Sequence, residues 1–135
     1  MRIFWQDSMA LGVPTLDAEH RQLVSLLDSF CVILRYRNLE AAGRAFREFS
    51  QAALAHLANE EQLIAQFAHD GAERHLDVHG RTREVIGRLG AAIFDHRDLA
   101  AAERLAGEII STWIRALLSE DVVLAARLKR AVRAQ

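Results

Sequence analysis

The chain has 135 residues, about half of them apolar, and carries 17 basic and 18 acidic side chains, for a formal net charge of −1. This length predicts one domain over residues 1–135 with a single apolar core, and the interspersed charges exclude the clustered basic face of a nucleic-acid-binding protein. Because no apolar run approaches the roughly 20 residues that span a bilayer and no secretory leader is recognisable, no membrane association and a cytoplasmic location are expected.

Helix-forming residues dominate the chain, and no alternating run of β-branched residues predicts a strand. An irregular arm over residues 1–16 is expected to precede four helices. These are predicted at about residues 17–37, 39–67, 72–94 and 99–131. Asn38 and Asp98 are suited to cap the second and fourth helices, and Asp70-Gly71 predicts a turn before the third. Short connections between such helices predict an all-α, up-down-up-down antiparallel four-helix bundle.

Two pairs of potential metal ligands lie on consecutive predicted helices: His56 with Glu60, and His75 with His79. The i,i+4 spacing puts both side chains of a pair on one face of the helix, one turn apart. Each helix can therefore offer two ligands to one metal or to two adjacent metals. One such pair is common on solvated helix faces, but two pairs on consecutive helices are much less probable by chance.

Two further candidate ligands are His20, near the start of the first helix, and Asp121, among apolar residues of the fourth. Imidazoles and carboxylates without thiolates suit iron, zinc, copper or manganese. Cys31, the only cysteine, lies in an apolar stretch and is expected to be a buried hydrophobe. The ferritin-like class, which uses Glu-x-x-His on two helices, is disfavoured because no glutamate here has a histidine three residues later. His69 and His96 lie in connections and are expected to face solvent.

Together these motifs resemble those of the bacterial hemerythrins over nearly the whole chain. The segment FWQDSMALGVPTLDAEHRQLVSLLD is similar to the family's aromatic arm and Asp-x-x-His helix, HLANEEQLI to its His-x-x-x-Glu-Glu helix, and HLDVH to its His-x-x-x-His. The resemblance implies two non-haem irons, bridged by carboxylates and an oxo or hydroxo group, that bind dioxygen. The implied ligands are His20 and His56 for one iron, His75 and His79 for the other, and Glu60 and Asp121 as bridges.

The last helix departs from the family pattern at one expected ligand. WIRALLSEDVVLAARLK resembles the family's Trp-Leu-x-x-His-Ile-x-x-x-Asp, but Leu117 stands where the family has a histidine. The segment from Trp113 to Asp121 is also one residue shorter, which could leave a regular helix with Asp121 facing the metals. Glu120 is a second candidate for the bridging carboxylate. The iron bound by two histidines of the third helix is therefore expected to have an open or water-filled position.

The sequence also offers candidates for the residues that surround the implied irons. Apolar shielding of the oxygen site is expected from Leu57, Trp113 and either Leu117 or Leu118. Ligating histidines usually donate their second N–H to a carboxylate or carbonyl. The candidates for this outer role are Asp17, Glu19 and Glu61, although Glu61 is more typical of a solvated neighbour.

Three functions remain open from the sequence. The favoured one is a dioxygen-binding protein for carriage, delivery or sensing, so the chain is not expected to be an enzyme. The second is a di-iron protein with enzyme-like activity on peroxide, dioxygen or nitric oxide at the open position. The third is a bundle that holds little metal and serves as an interaction module.

Overall fold

A computed structural model describes residues 2–133. Met1 in the predicted arm and the last two residues of the predicted domain lie outside the described residues. The described chain forms a short 3₁₀ helix, Asp7–Met9, and five α-helices. These are α1 (Pro14–Arg35), α2 (Leu39–Phe67), α3 (Glu73–Phe94), α4 (Leu99–Leu117) and α5 (Glu120–Arg133). No strand occurs within residues 2–133, and no helix there combines the length and apolar character needed to cross a membrane.

The predicted four-helix bundle is confirmed, with α4 and α5 together forming the fourth rod. α1 packs along α2, α2 contacts α3, and α3 packs along α4, which also contacts α1. The N-caps are as predicted: the Asn38 and Asp98 side chains accept the backbone N–H groups of Ala41 and Ala101, each at 3.1 Å. Gly71 makes the predicted turn with a φ of 79°, which glycine adopts without steric cost.

Helix α1 begins at Pro14, three residues earlier than predicted. Proline at the first helical position loses nothing, because the N–H that it lacks would have no partner inside the helix. The Asp17 carboxylate lies one turn further on and accepts the backbone N–H groups of Leu11 at 2.8 Å and Gly12 at 3.1 Å. The helix ends at Arg35, since Arg37 adopts a left-handed φ of 60°.

The prediction of one continuous fourth helix is wrong, because the rod breaks at residues 118–119. The Ser119 hydroxyl donates to the Arg115 carbonyl at 2.7 Å, which is the acceptor that the Ser119 N–H would use in a continuous α-helix. That N–H bonds instead to the Ala116 carbonyl at 3.2 Å. Such local side-chain bonds compete with helical ones. After the break, α5 lies against α2 and α3.

The buried apolar side chains form a large cluster and a small one. The large cluster joins α1, α2, α3 and α4 with Ile3 of the arm. The small cluster consists of Leu16, Ile64, Ala68, Ala72, Leu124 and Leu128. On α1, His20 lies between Leu16 of the small cluster and Leu23 of the large one, and the same order recurs along the other three rods. The predicted ligands therefore occupy a polar layer between two apolar clusters.

Candidate metal centre

The structure brings all six predicted ligand residues together in this polar layer. Each side chain is almost fully buried, with His75 the most exposed at 6%. The residues are His20 on α1, His56 and Glu60 on α2, His75 and His79 on α3, and Asp121 on α5. The predicted solvent-facing positions of His69 and His96, and the burial of Cys31, are confirmed.

Glu60 lies between two pairs of histidines and offers one oxygen to each pair. Its Oε2 is 2.8 Å from His56 Nε2 and 3.4 Å from His20 Nε2. Its Oε1 is 3.1 Å from the Nε2 atoms of both His75 and His79. A carboxylate in this position can bridge two metal ions, one on each side.

Asp121 repeats this arrangement from the fourth rod. Its Oδ2 is 3.4 Å from His20 Nε2, and its Oδ1 is 3.1 Å from His75 Nε2. Asp121, and not Glu120, is thus the carboxylate of this rod in the cluster. Asp121 still faces the cluster despite the break before α5. The regular helix that the sequence suggested is not present.

The spacing of these donor atoms fits metal ions better than it fits mutual hydrogen bonds. Glu60 Oε2 is buried without a hydrogen-bond partner, although two imidazole nitrogens lie within 3.4 Å of it. His20 Nε2 and His56 Nε2 are only 3.1 Å apart. Two ligands at about 2.1 Å from a metal and at right angles lie about 3.0 Å apart. The four donor groups around His20 and the three around His79 each lie within 4.8 Å of one another.

The carboxylates also raise the proton affinity of two of the histidines, His56 and His75. Burial lowers the pKa of His56, but contacts with Glu60 and Glu19 outweigh burial and raise the pKa to about 9. Burial likewise lowers the pKa of His75, and Asp121 and Glu60 raise it to about 9. Burial raises the pKa of Glu60, whereas the four histidines lower it well below its usual range. A metal ion must therefore displace protons from His56 and His75.

Two carboxylates outside the cluster orient two of the four inner histidines. Glu19 Oε1 accepts the His56 Nδ1–H at 2.7 Å, and Glu61 Oε2 accepts the His79 Nδ1–H at 2.9 Å. Both bonds turn the Nε2 atom towards the cluster, as ligation requires. The interpretation of Glu61 as a solvated neighbour is wrong, because Arg83 also holds it through two hydrogen bonds of 2.6 and 2.8 Å.

The apolar surroundings are partly as expected. Leu57, Leu117 and Trp113 are buried, whereas Leu118 is 58% exposed and does not shield the site. Leu117 is fully buried yet belongs to neither apolar cluster, which is consistent with a place in the layer between them. Its side chain carries no donor atom, so α4 adds no ligand there.

The hemerythrin HHE cation binding domain matches residues 11–128 of the chain, a range that contains all six clustered residues. The chain belongs to the hemerythrin family. It is 28% identical over 120 residues to a bacteriohemerythrin of Stenotrophomonas maltophilia (strain R551-3). The alignment covers 87% of this chain and 69% of the relative. No solved structure matches it. Hemerythrins bind non-haem iron and dioxygen, and the clustered residues of this hemerythrin-like protein could hold a metal.

Proposed function

We propose that the chain, as one domain, holds two non-haem irons between its four rods and binds dioxygen there. The observation that carries this proposal is the division of the carboxylate oxygens. Glu60 and Asp121 each present one oxygen to each side of an almost fully buried layer. A single metal would not require both oxygens of both carboxylates, whereas two metals would use all four.

The protein supplies ligands, orientation and a dry environment. His20 and His56 would hold one iron, and His75 and His79 the other. Two bound irons would supply the electrons for reversible binding of dioxygen and an open coordination position for it. The two apolar clusters on either side of the layer limit access of water, which opposes irreversible oxidation.

The experiment that tests this function combines iron content with oxygen-dependent absorption. The protein is purified, its iron per chain is measured, and it is reduced without oxygen and then exposed to air. We expect about two irons per chain and a visible absorption band that appears with oxygen and disappears when oxygen is removed. His56→Ala should lose the band, and His69→Ala, at an exposed position, should keep it. An iron-loaded protein with an oxygen-independent spectrum would contradict the proposal.

The buried Leu117 favours a second candidate function. Without a third imidazole, an iron held by His75 and His79 would have a position open to small molecules, which suits turnover of peroxide, dioxygen or nitric oxide. Consumption of one of these by the iron-loaded protein, and its loss in Leu117→His, would support this function over reversible binding. Rates equal to those of free iron would exclude it.

A further inference from the structure

A regular sequence relation links the inner and outer carboxylates of the centre. Glu19, the outer partner of His56, directly precedes the inner residue His20 on α1. Glu61, the outer partner of His79, directly follows the inner residue Glu60 on α2. In both cases the outer glutamate reaches a histidine on the next helix.

The fourth rod repeats this pairing, because Glu120 directly precedes the inner residue Asp121. Helix α5 contacts α3, which carries His75. His75 Nε2 is directed at Glu60 and Asp121, so its Nδ1 faces away from the cluster. Glu120, like Glu19 and Glu61, is adjacent in sequence to an inner carboxylate or histidine and lies on a helix that contacts a helix with an inner histidine, here the earlier helix α3. Glu120 is therefore an outer carboxylate available to His75.

A small cavity joins these two residues. It has a volume of about 30 Å³, and His75 and Glu120 both line it. The inner residues Glu60, His79 and Asp121 do not line it, so it lies outside the cluster. The remaining wall is apolar apart from Arg127, whose side chain donates to the Asp70 carbonyl. The volume is enough for one water, which needs two or more polar partners to be held.

Glu120 has the capacity to serve as such a partner. Its side chain is 18% exposed, and its Oε1 forms an ion pair with Arg74 Nε at 3.1 Å, which leaves Oε2 for a hydrogen bond. Arg74 is 85% exposed, and a surface ion pair of this kind contributes about 0–1 kcal/mol. The contact with Arg74 therefore contributes little to the stability of the fold.

The geometry points to Glu120 as a positioning residue for His75, holding its Nδ1–H through one water in this cavity. The inference rests on the proposed iron function. It concerns the iron that lacks a third imidazole, where a firmly oriented His75 matters most. Glu120 would thus complete a set of three outer glutamates, two in direct contact and one through water.

The test is the release of iron from the loaded protein into excess ferrous chelator. We expect Glu120→Gln to release one of the two irons on the order of 10–100 times faster, as loss of an outer partner does in other metal sites. Arg74→Gln breaks the ion pair but keeps the carboxylate, so its release should stay within about twofold of the unmodified protein. The melting temperature of metal-free Glu120→Gln should match that of Arg74→Gln.

Other outcomes separate this inference from the proposed function. Glu19→Gln, which removes a direct outer partner, should accelerate release of the iron at His20 and His56. If Glu19→Gln accelerates release and Glu120→Gln does not, the role of Glu120 is refuted while the iron function stands. Equal acceleration by Arg74→Gln and Glu120→Gln would assign the effect to the ion pair and also overturn the inference. An unmodified protein that retains no iron would remove both proposals together.

Discussion

At the scale of single residues, the centre depends on which atom of each side chain faces inwards. Buried ionisable groups are costly unless they are paired or bind a metal. Here four imidazoles direct Nε2 atoms at two carboxylates, and two of the imidazoles are held from behind by Glu19 and Glu61. The same atoms bind protons or metal, so the two must compete.

This competition predicts how iron affinity depends on pH. Because the pKa values of His56 and His75 are raised to about 9, both rings are protonated at pH 7 and each must lose a proton to bind iron. The association constant for ferrous iron, measured without oxygen, should therefore keep rising with pH from 6.5 to 8.5. For unperturbed imidazoles with a pKa of about 6.5, the rise would be nearly complete by about pH 7.5. An affinity that levels off there would contradict the raised pKa values.

Restoring the missing imidazole should strengthen the second iron site. We expect Leu117→His to slow iron release into chelator by roughly tenfold or more, since even outer partners change metal affinity by about 10–100-fold. Air oxidation of the reduced protein should also slow, because the added ligand fills the open position. Leu118→His, at the neighbouring position that is 58% exposed, is the matched control. Equal rates of iron release and air oxidation in the two variants would mean that residue 117 does not face the metals.

At the scale of helices, the ends are set by local chemistry that the sequence displays. Asn38 and Asp98 are recognisable caps, and each side chain satisfies a backbone N–H that the first helical turn leaves free. The break in the fourth rod could not be predicted, because it depends on a hydrogen bond from the Ser119 hydroxyl to the Arg115 carbonyl. A serine within a helical pattern more often leaves the helix continuous.

The caps should contribute measurably to stability. Asn38→Ala and Asp98→Ala should each lower the free energy of unfolding by about 1 kcal/mol, because each leaves an N–H of the first turn without its partner. Denaturant unfolding of the metal-free protein measures this. Gln51→Ala, at an exposed position inside α2, is the control and should change the free energy by less than about 0.5 kcal/mol. Losses no larger than in the control would show that the caps do not form in solution.

At the scale of the whole molecule, the bundle places a polar layer between two apolar clusters. All four rods contribute ionisable groups to that layer, so bound metal would connect all four. The i,i+4 pairs on α2 and α3 indicated that each helix offers two ligands, and the family resemblance implied that His56, Glu60, His75 and His79 converge. The partner of Glu61 could not be predicted, because it depends on the packing distance between α2 and α3.

Metal removal should therefore weaken the entire fold. A ligand present at 100 times its dissociation constant stabilises the folded state by about 2.7 kcal/mol. For a domain of this size that corresponds to a melting temperature roughly 10 °C higher with iron than without it. Glu60→Gln should reduce this difference, whereas Glu84→Gln, on the exposed side of α3, should leave it unchanged. Identical melting temperatures with and without iron would show that the layer does not bind it.

The most direct test of the account is a crystal structure of the iron-loaded protein with diffraction data collected on both sides of the iron absorption edge. We predict two anomalous peaks about 3.5–4 Å apart, as in other two-metal sites. One should contact His20 and His56, the other His75 and His79, and both should contact Glu60 and Asp121. A single peak, or iron bound only at the surface, would contradict the account.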